Sequence, residues 1–168
     1  MVIVVMGVAG VGKTTVGRRL AHELGWPFLD ADDFHAPESI EHMRRGSALT
    51  DSQRAPWLAA LAALLADHVE RGASLVLATS ALRRAHRAAL LGNTAAGDVR
   101  VVYLRADPAL VAQRISARTG HFFPASLLAD QLAVLEPPRA DEGVHVLEVD
   151  AARPPAELVS AIRAALDV

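Results

Sequence analysis

At 168 residues and a formal net charge of −2, the chain is sized for one domain with a single substantial core, and it offers no electrostatic case for nucleic acid as a main partner. A hydrophobic fraction of 52% argues against disorder, and the absence of cysteine excludes disulfides, thiolate metal sites and cysteine nucleophiles. The longest apolar run is far too short to span a bilayer and no leader pattern is evident, so no membrane partner is expected and the cytoplasm is the expected compartment.

The first element is Val2-Ile3-Val4-Val5-Met6, a continuous apolar run that reads as a buried strand. It leads directly into Gly7-Val8-Ala9-Gly10-Val11-Gly12-Lys13-Thr14, which fits G-x-x-x-x-G-K-[ST] without a gap. From Thr15 to Leu24 the pattern turns helical, with Val16, Leu20 and Leu24 on one face. Strand, glycine loop and helix start form the context in which this motif binds phosphate. The glycines let backbone N–H groups converge on phosphate oxygens at the positive end of the helix. Residues Gly7, Val8, Ala9, Gly10, Val11, Gly12, Lys13, Thr14 and Thr15 are therefore the candidate nucleotide-binding set. The Lys13 ammonium can reach the β- and γ-phosphates and the Thr14 hydroxyl can ligate Mg²⁺, so the chain is expected to bind a nucleoside triphosphate.

A second strand, Trp26-Pro27-Phe28-Leu29-Asp30, runs into Asp30-Ala31-Asp32-Asp33-Phe34-His35. Three carboxylates and an imidazole crowded at a strand end repel one another or lose hydration unless a cation or substrate shares the site. Helix capping by Asp32 or Asp33 accounts for one of them, not the set. In phosphoryl transfer one acid would hold the Mg²⁺ side and another would bind or deprotonate the acceptor hydroxyl; position suggests Asp30 for the first and Asp32 for the second.

Helical patterns follow over about 36–45 and 53–71, the second started by Thr50-Asp51-Ser52 with Asp51 or Ser52 as its cap. Arg54 then lies in the first turn, where a cation opposes the helix dipole. Two readings stay open: an anionic substrate group held by its guanidinium, or a surface pair with Asp51. The third strand, Ser74–Ala78, ends at Thr79-Ser80-Ala81-Leu82-Arg83, two hydroxyls and a cation at a sheet end; one hydroxyl is expected to cap the helix over about 83–91.

A fourth strand, Val99–Leu104, precedes a helix over about 108–118 that carries Arg114 and Arg118 at a spacing that shares one face. Thr119-Gly120-His121-Phe122-Phe123-Pro124 breaks it before a helix over 125–134, the layout of a lid bringing arginines onto a transferring phosphoryl group. His145–Val149 is the fifth strand, and Pro154-Pro155 opens a final helix over 155–166. Strands alternating with helices predict an α/β fold with a parallel sheet covered on both faces. Its ligands should gather at the carboxyl ends of the strands. The loop around Asp150–Pro155 is the expected adenine side by fold analogy, and the histidines show no metal-binding spacing.

At these residues the chain resembles the gluconate kinases, small P-loop sugar-acid kinases related to shikimate and nucleoside monophosphate kinases. The resemblance runs nearly end to end. It rests on Gly7–Thr14, Asp30–His35, Met43…Gly46…Leu49…Asp51…Arg54…Pro56-Trp57-Leu58, Ser80-Ala81-Leu82, Arg118–Phe123 and Leu135-Glu136-Pro137-Pro138. It implies a P-loop kinase three-layer sandwich, with a five-stranded parallel sheet, a helical lid and, commonly, a homodimer. The implied activity is Mg²⁺-dependent transfer from ATP to D-gluconate. By position, Asp32, His35, Arg54 and Arg83 would contact the sugar acid, and Arg114 and Arg118 would stabilise transition-state charge beside Lys13. His121 would close over the site. The chain departs from the family at Ser39 and His42, where Asn and Lys are usual, and at Thr79 and Arg83, where Cys and Lys are usual. All four lie toward the expected acceptor side. The alternatives are another hydroxy acid such as shikimate or a different aldonate, or a nucleotide-binding regulator without turnover. Intact Lys13, Thr14 and strand-two acids weigh against the last.

Overall fold

The computed structural model describes residues 1–92, 94, 98–117 and 125–168. Five strands, Val2–Met6 (β1), Phe28–Asp30 (β2), Leu75–Thr79 (β3), Val99–Arg105 (β4) and His145–Asp150 (β5), form one sheet in the order β2-β3-β1-β4-β5. Every pairing is parallel. The helices are Lys13–Leu24 (α1), Pro37–Arg44 (α2), Asp51–Glu70 (α3), Arg84–Leu91 (α4), Pro108–Ser116 (α5), Ala125–Val134 (α6) and Pro155–Leu166 (α7). None of the described helices is long and apolar enough to cross a membrane.

The sheet divides the core by strand alternation. Ile3 and Val5 face Val16 and Leu20 of α1 and Leu158, Val159 and Ile162 of α7. Val2, Val4 and Met6 face Trp57, Leu61 and Leu65 of α3 and Leu90 of α4. β1 and β3 are buried along their whole length because both faces are covered, which is why they read as unbroken apolar runs. Burying each such Leu or Ile side chain stabilises the fold by roughly 1.5–3 kcal/mol. Register then places the chemistry: Met6 pairs with Thr79 and Asp30 with Ala78, so the glycine loop and the strand-two acids leave the same edge of the sheet.

The long helix starts at Asp51, two residues before the expected position 53. Thr50, not Asp51 or Ser52, is its cap: Gln53 N donates to Thr50 Oγ1 at 3.2 Å and Thr50 N donates to Gln53 Oε1 at 2.9 Å. α5 stops at Ser116, and the helix face expected to be shared by Arg114 and Arg118 lies partly outside the described residues. Arg118 and His121 lie outside the described residues.

Candidate active site

The glycine loop is shaped by its backbone. Gly7, Gly10 and Gly12 have φ of 149°, 78° and 110°, a region side chains rarely tolerate. At Gly10 a Cβ would stand 2.5 Å from Ile115 Cγ1, so α5 can seat directly on the loop. Val8 and Val11 are buried, which leaves only their backbone for a ligand. Lys13 Nζ donates to the Val8 carbonyl at 3.1 Å, and Thr15 is exposed in the first turn of α1. Two side chains brace the loop from outside. Arg114 donates to the carbonyls of Val11 at 3.2 Å and Ala151 at 2.8 Å, and Ala9 N donates to Gln131 Oε1 at 2.7 Å. Arg114 thus ties the loop to the turn after β5, and in this conformation it is a brace rather than a lining group of the cavity.

Beside the loop, Thr14 Oγ1 donates to Asp30 Oδ2 at 2.8 Å. Asp30 Oδ1 accepts from Asp32 N, capping a single 3-10 turn over Ala31–Phe34 that no periodicity announced. A cavity of about 680 Å³ extends from Gly10, Lys13 and Thr14 past Asp30 and Asp32 to His35, Arg54 and Arg83. Asp32 is reached from that cavity, yet the crowded walls hold its acid above the ordinary carboxylate range, with Lys13 pulling the other way. The His35 ring stacks on Trp57 at 4.4 Å, and Trp57 Nε1 donates to the Ala31 carbonyl at 2.7 Å. Burial lowers the His35 pKa, and its Nδ1 has no hydrogen-bond partner among the described residues. His35 borders the cavity, and that nitrogen is itself buried.

Of the two readings of Arg54, the pair with Asp51 is formed. It pairs with Asp51 at 3.2 Å, donates to the Leu49 carbonyl, and still lines the cavity. Asp51 also accepts from Arg83 at 3.2 Å and meets His86 Nε2 at 3.3 Å, so one exposed carboxylate orients two guanidinium groups. Neither Thr79 nor Ser80 caps α4. The Glu136 carboxylate accepts from Arg84 N instead, and Thr79 Oγ1 is buried without a partner among the described residues.

Sequence reasoning missed Arg87. It is buried, donates to both Glu142 oxygens at 2.7 Å, and holds the carbonyls of Ala81 and Leu82. Ala81 sits at φ 38°, a strained turn at the end of β3 that these bonds secure. Burial works against the Glu142 carboxylate, but the Arg87 bonds and charge outweigh it and its pKa falls. The acid run Asp141-Glu142 carried the signal, but its partner lies 55 residues back.

For a metal, the fit rests on Thr14 and Asp30: a hydroxyl and a carboxylate oxygen already in contact are hard donors of the kind Mg²⁺ takes. No cluster of three or more His, Asp or Glu that could hold an ion forms among the described residues. A Mg²⁺ here would therefore draw its other ligands from phosphate and water.

A parallel sheet with a phosphate loop at its central strand and an acid-lined cavity beside it defines a P-loop phosphotransferase. The family described as AAA domain matches residues 2–138. A gluconokinase of Gluconobacter oxydans (strain 621H) is 46% identical over 142 residues, covering 84% of this chain and 79% of that protein. The crystal structure of a gluconokinase from Sinorhizobium meliloti 1021 superposes with a TM-score of 0.84 at 41% identity, over 98% of this chain and 90% of that one. The chain belongs to the gluconokinase family. A shikimate kinase from Acinetobacter baumannii, at TM-score 0.62 and 24% identity over 99% and 93% of the two chains, shares the fold.

Proposed function

We propose that this chain transfers the γ-phosphoryl group of ATP to the primary hydroxyl of D-gluconate, producing 6-phospho-D-gluconate. The observation that carries the reading is the single cavity that joins Lys13 and Thr14 to Asp32, His35, Arg54 and Arg83. A sugar acid needs hydroxyl partners along its length and a cation for its carboxylate. Asp32 and His35 border the cavity on the hydroxyl side, and the guanidinium groups of Arg54 and Arg83 offer the second.

Asp32 takes the proton of the acceptor hydroxyl as that oxygen bonds to the γ-phosphorus and the bond to the β–γ bridging oxygen breaks. Its raised pKa suits a base better than an ordinary carboxylate would. Lys13 and the N–H groups of the glycine loop offset charge on the phosphoryl oxygens. Thr14 and Asp30 would hold Mg²⁺, which when bound neutralises phosphate charge. Arg114 keeps the loop in place, and Arg118 and His121 are the residues assigned to the transferring group and to closure over the acceptor. The same reading takes residues 1–168 as one domain with a lid over about 114–134, acting as a cytoplasmic homodimer.

An ATP-coupled screen across D-gluconate, other aldonates, shikimate and nucleoside monophosphates tests it. D-Gluconate is expected to give the highest kcat/KM. Turnover with shikimate and none with gluconate would replace the acceptor and leave the kinase chemistry standing.

A further inference from the structure

Both helices that flank residues 118–124 reach the phosphate loop, and they hold it in different ways. From α5, Arg114 binds the Val11 and Ala151 carbonyls while Ile115 fills the space a Gly10 side chain would need. From α6, contact is made by one polar group: Gln131 Oε1 accepts the Ala9 N–H at 2.7 Å, joining residues 122 positions apart. Ala9 is the third residue of the loop, between Gly7 and Gly10. Leu127 and Leu128 are buried on the same helix, so the glutamine projects from a seated element.

The bond also fixes the amide. An N–H can be accepted only by the amide oxygen, so Oε1 faces the loop and Nε2 keeps two donors for the cavity that Gln131 lines. Neither the glycine pattern nor the acids after β2 call for a glutamine here, and the mechanism above leaves it unused.

We propose that Gln131 is a positioning residue for phosphoryl transfer: its amide oxygen holds Ala9 in the phosphate loop, and its amide nitrogen is directed at the transferring phosphoryl group. The proposal rests on the kinase reading of this cavity for its second half. Its first half, the grip on the loop, stands without it.

Two variants and two readouts test it. Q131L keeps the bulk and removes both polar functions; Q131E keeps an acceptor for Ala9 but replaces the donors with a negative charge. In Q131L, kcat at saturating ATP and D-gluconate is expected to fall about 10- to 100-fold, the loss of one charge-assisted hydrogen bond, with both KM values within about threefold. Q131E is expected to be no faster than Q131L, because its charge repels the phosphoryl oxygens. In nucleotide-free protein, amide exchange of the peptide spanning Ala9 is expected to quicken in Q131L and to stay near the parent rate in Q131E. A Q131L enzyme within twofold of the parent kcat overturns the proposal, and so does a Q131E enzyme as active as the parent. Unchanged exchange in Q131L overturns the grip even if no acceptor is turned over. A parent enzyme without turnover fails the kinase reading instead.

Discussion

The two ends of the cavity are built from different materials. The phosphate end is backbone: three glycines at positive φ, set on a central strand whose five residues are all buried, with Val8 and Val11 anchored in the core. The acceptor end is side chain. It stands on the three-residue edge strand β2, on α2, which has no buried residue, and on an exposed carboxylate that gathers Arg54, Arg83 and His86. A site made of peptide groups can be lost but hardly retuned. A site made of ion pairs on the rim can change partner by single substitutions while the donor chemistry persists. Of the departures at Ser39, His42, Thr79 and Arg83, Arg83 borders the second kind of site.

Asp32 stands where the ends meet, and its loss should have the largest effect. D32N is expected to lower kcat by roughly 10²- to 10⁴-fold, the range of a general base, with KM for ATP little changed. The wild-type rate should climb with pH through an acid limb lying above the ordinary carboxylate range, because burial raises the Asp32 pKa and only the ionised form accepts a proton. That limb should vanish in D32N. Stability should move the other way. A raised folded-state pKa means that the folded protein holds the extra proton between the ordinary and the raised value, so stability falls as pH rises through that window. A variant with normal turnover would take Asp32 out of the mechanism.

Next in size is the frame under the acceptor end. R87M leaves the Glu142 carboxylate buried without its partner, and only 7% of that side chain is exposed. Urea unfolding is expected to show a loss of about 3–5 kcal/mol. With the Ala81 and Leu82 carbonyls released beside Arg83, KM for D-gluconate should rise while KM for ATP holds. An equal rise in both would show that the two ends are one mechanical unit and would dissolve the contrast drawn above.

The same contrast explains what the sequence discloses. The phosphate loop is legible because a backbone site must be written contiguously, from Gly7 to Thr14. The sheet is legible because strands buried on both faces are unbroken apolar runs. Asp30, Asp32 and His35 show because they crowd one strand end. What stayed hidden depends on distance: Gln131 on Ala9, Arg87 with Glu142, and the Asp51 hub, none of which has local periodicity or a motif. The cap falls at Thr50 rather than at Asp51 or Ser52 because three adjacent residues can all cap, and only Gln53 three positions on selects between them. Nor could spacing say that Arg114 would hold two carbonyls rather than face the cavity.

The smallest effect is also the sharpest probe of the acceptor end. R54K keeps the charge in the first turn of α3 but replaces a planar fork with a point charge. In the parent that fork uses Nη1 on Asp51 and Nη2 on the Leu49 carbonyl, both at 3.2 Å, while the group still borders the cavity. Lysine cannot hold those two acceptors and a substrate carboxylate in one plane. KM for D-gluconate is expected to rise about tenfold, the equivalent of ~1.4 kcal/mol, with kcat and KM for ATP near parent values. An unchanged KM would reduce Arg54 to the partner of Asp51 and leave Arg83 as the guanidinium that recognises the acid. A fall in kcat of the same size would move Arg54 from the rim to the reacting group, and the division between a backbone-built and a side-chain-built end would have to be redrawn through α3.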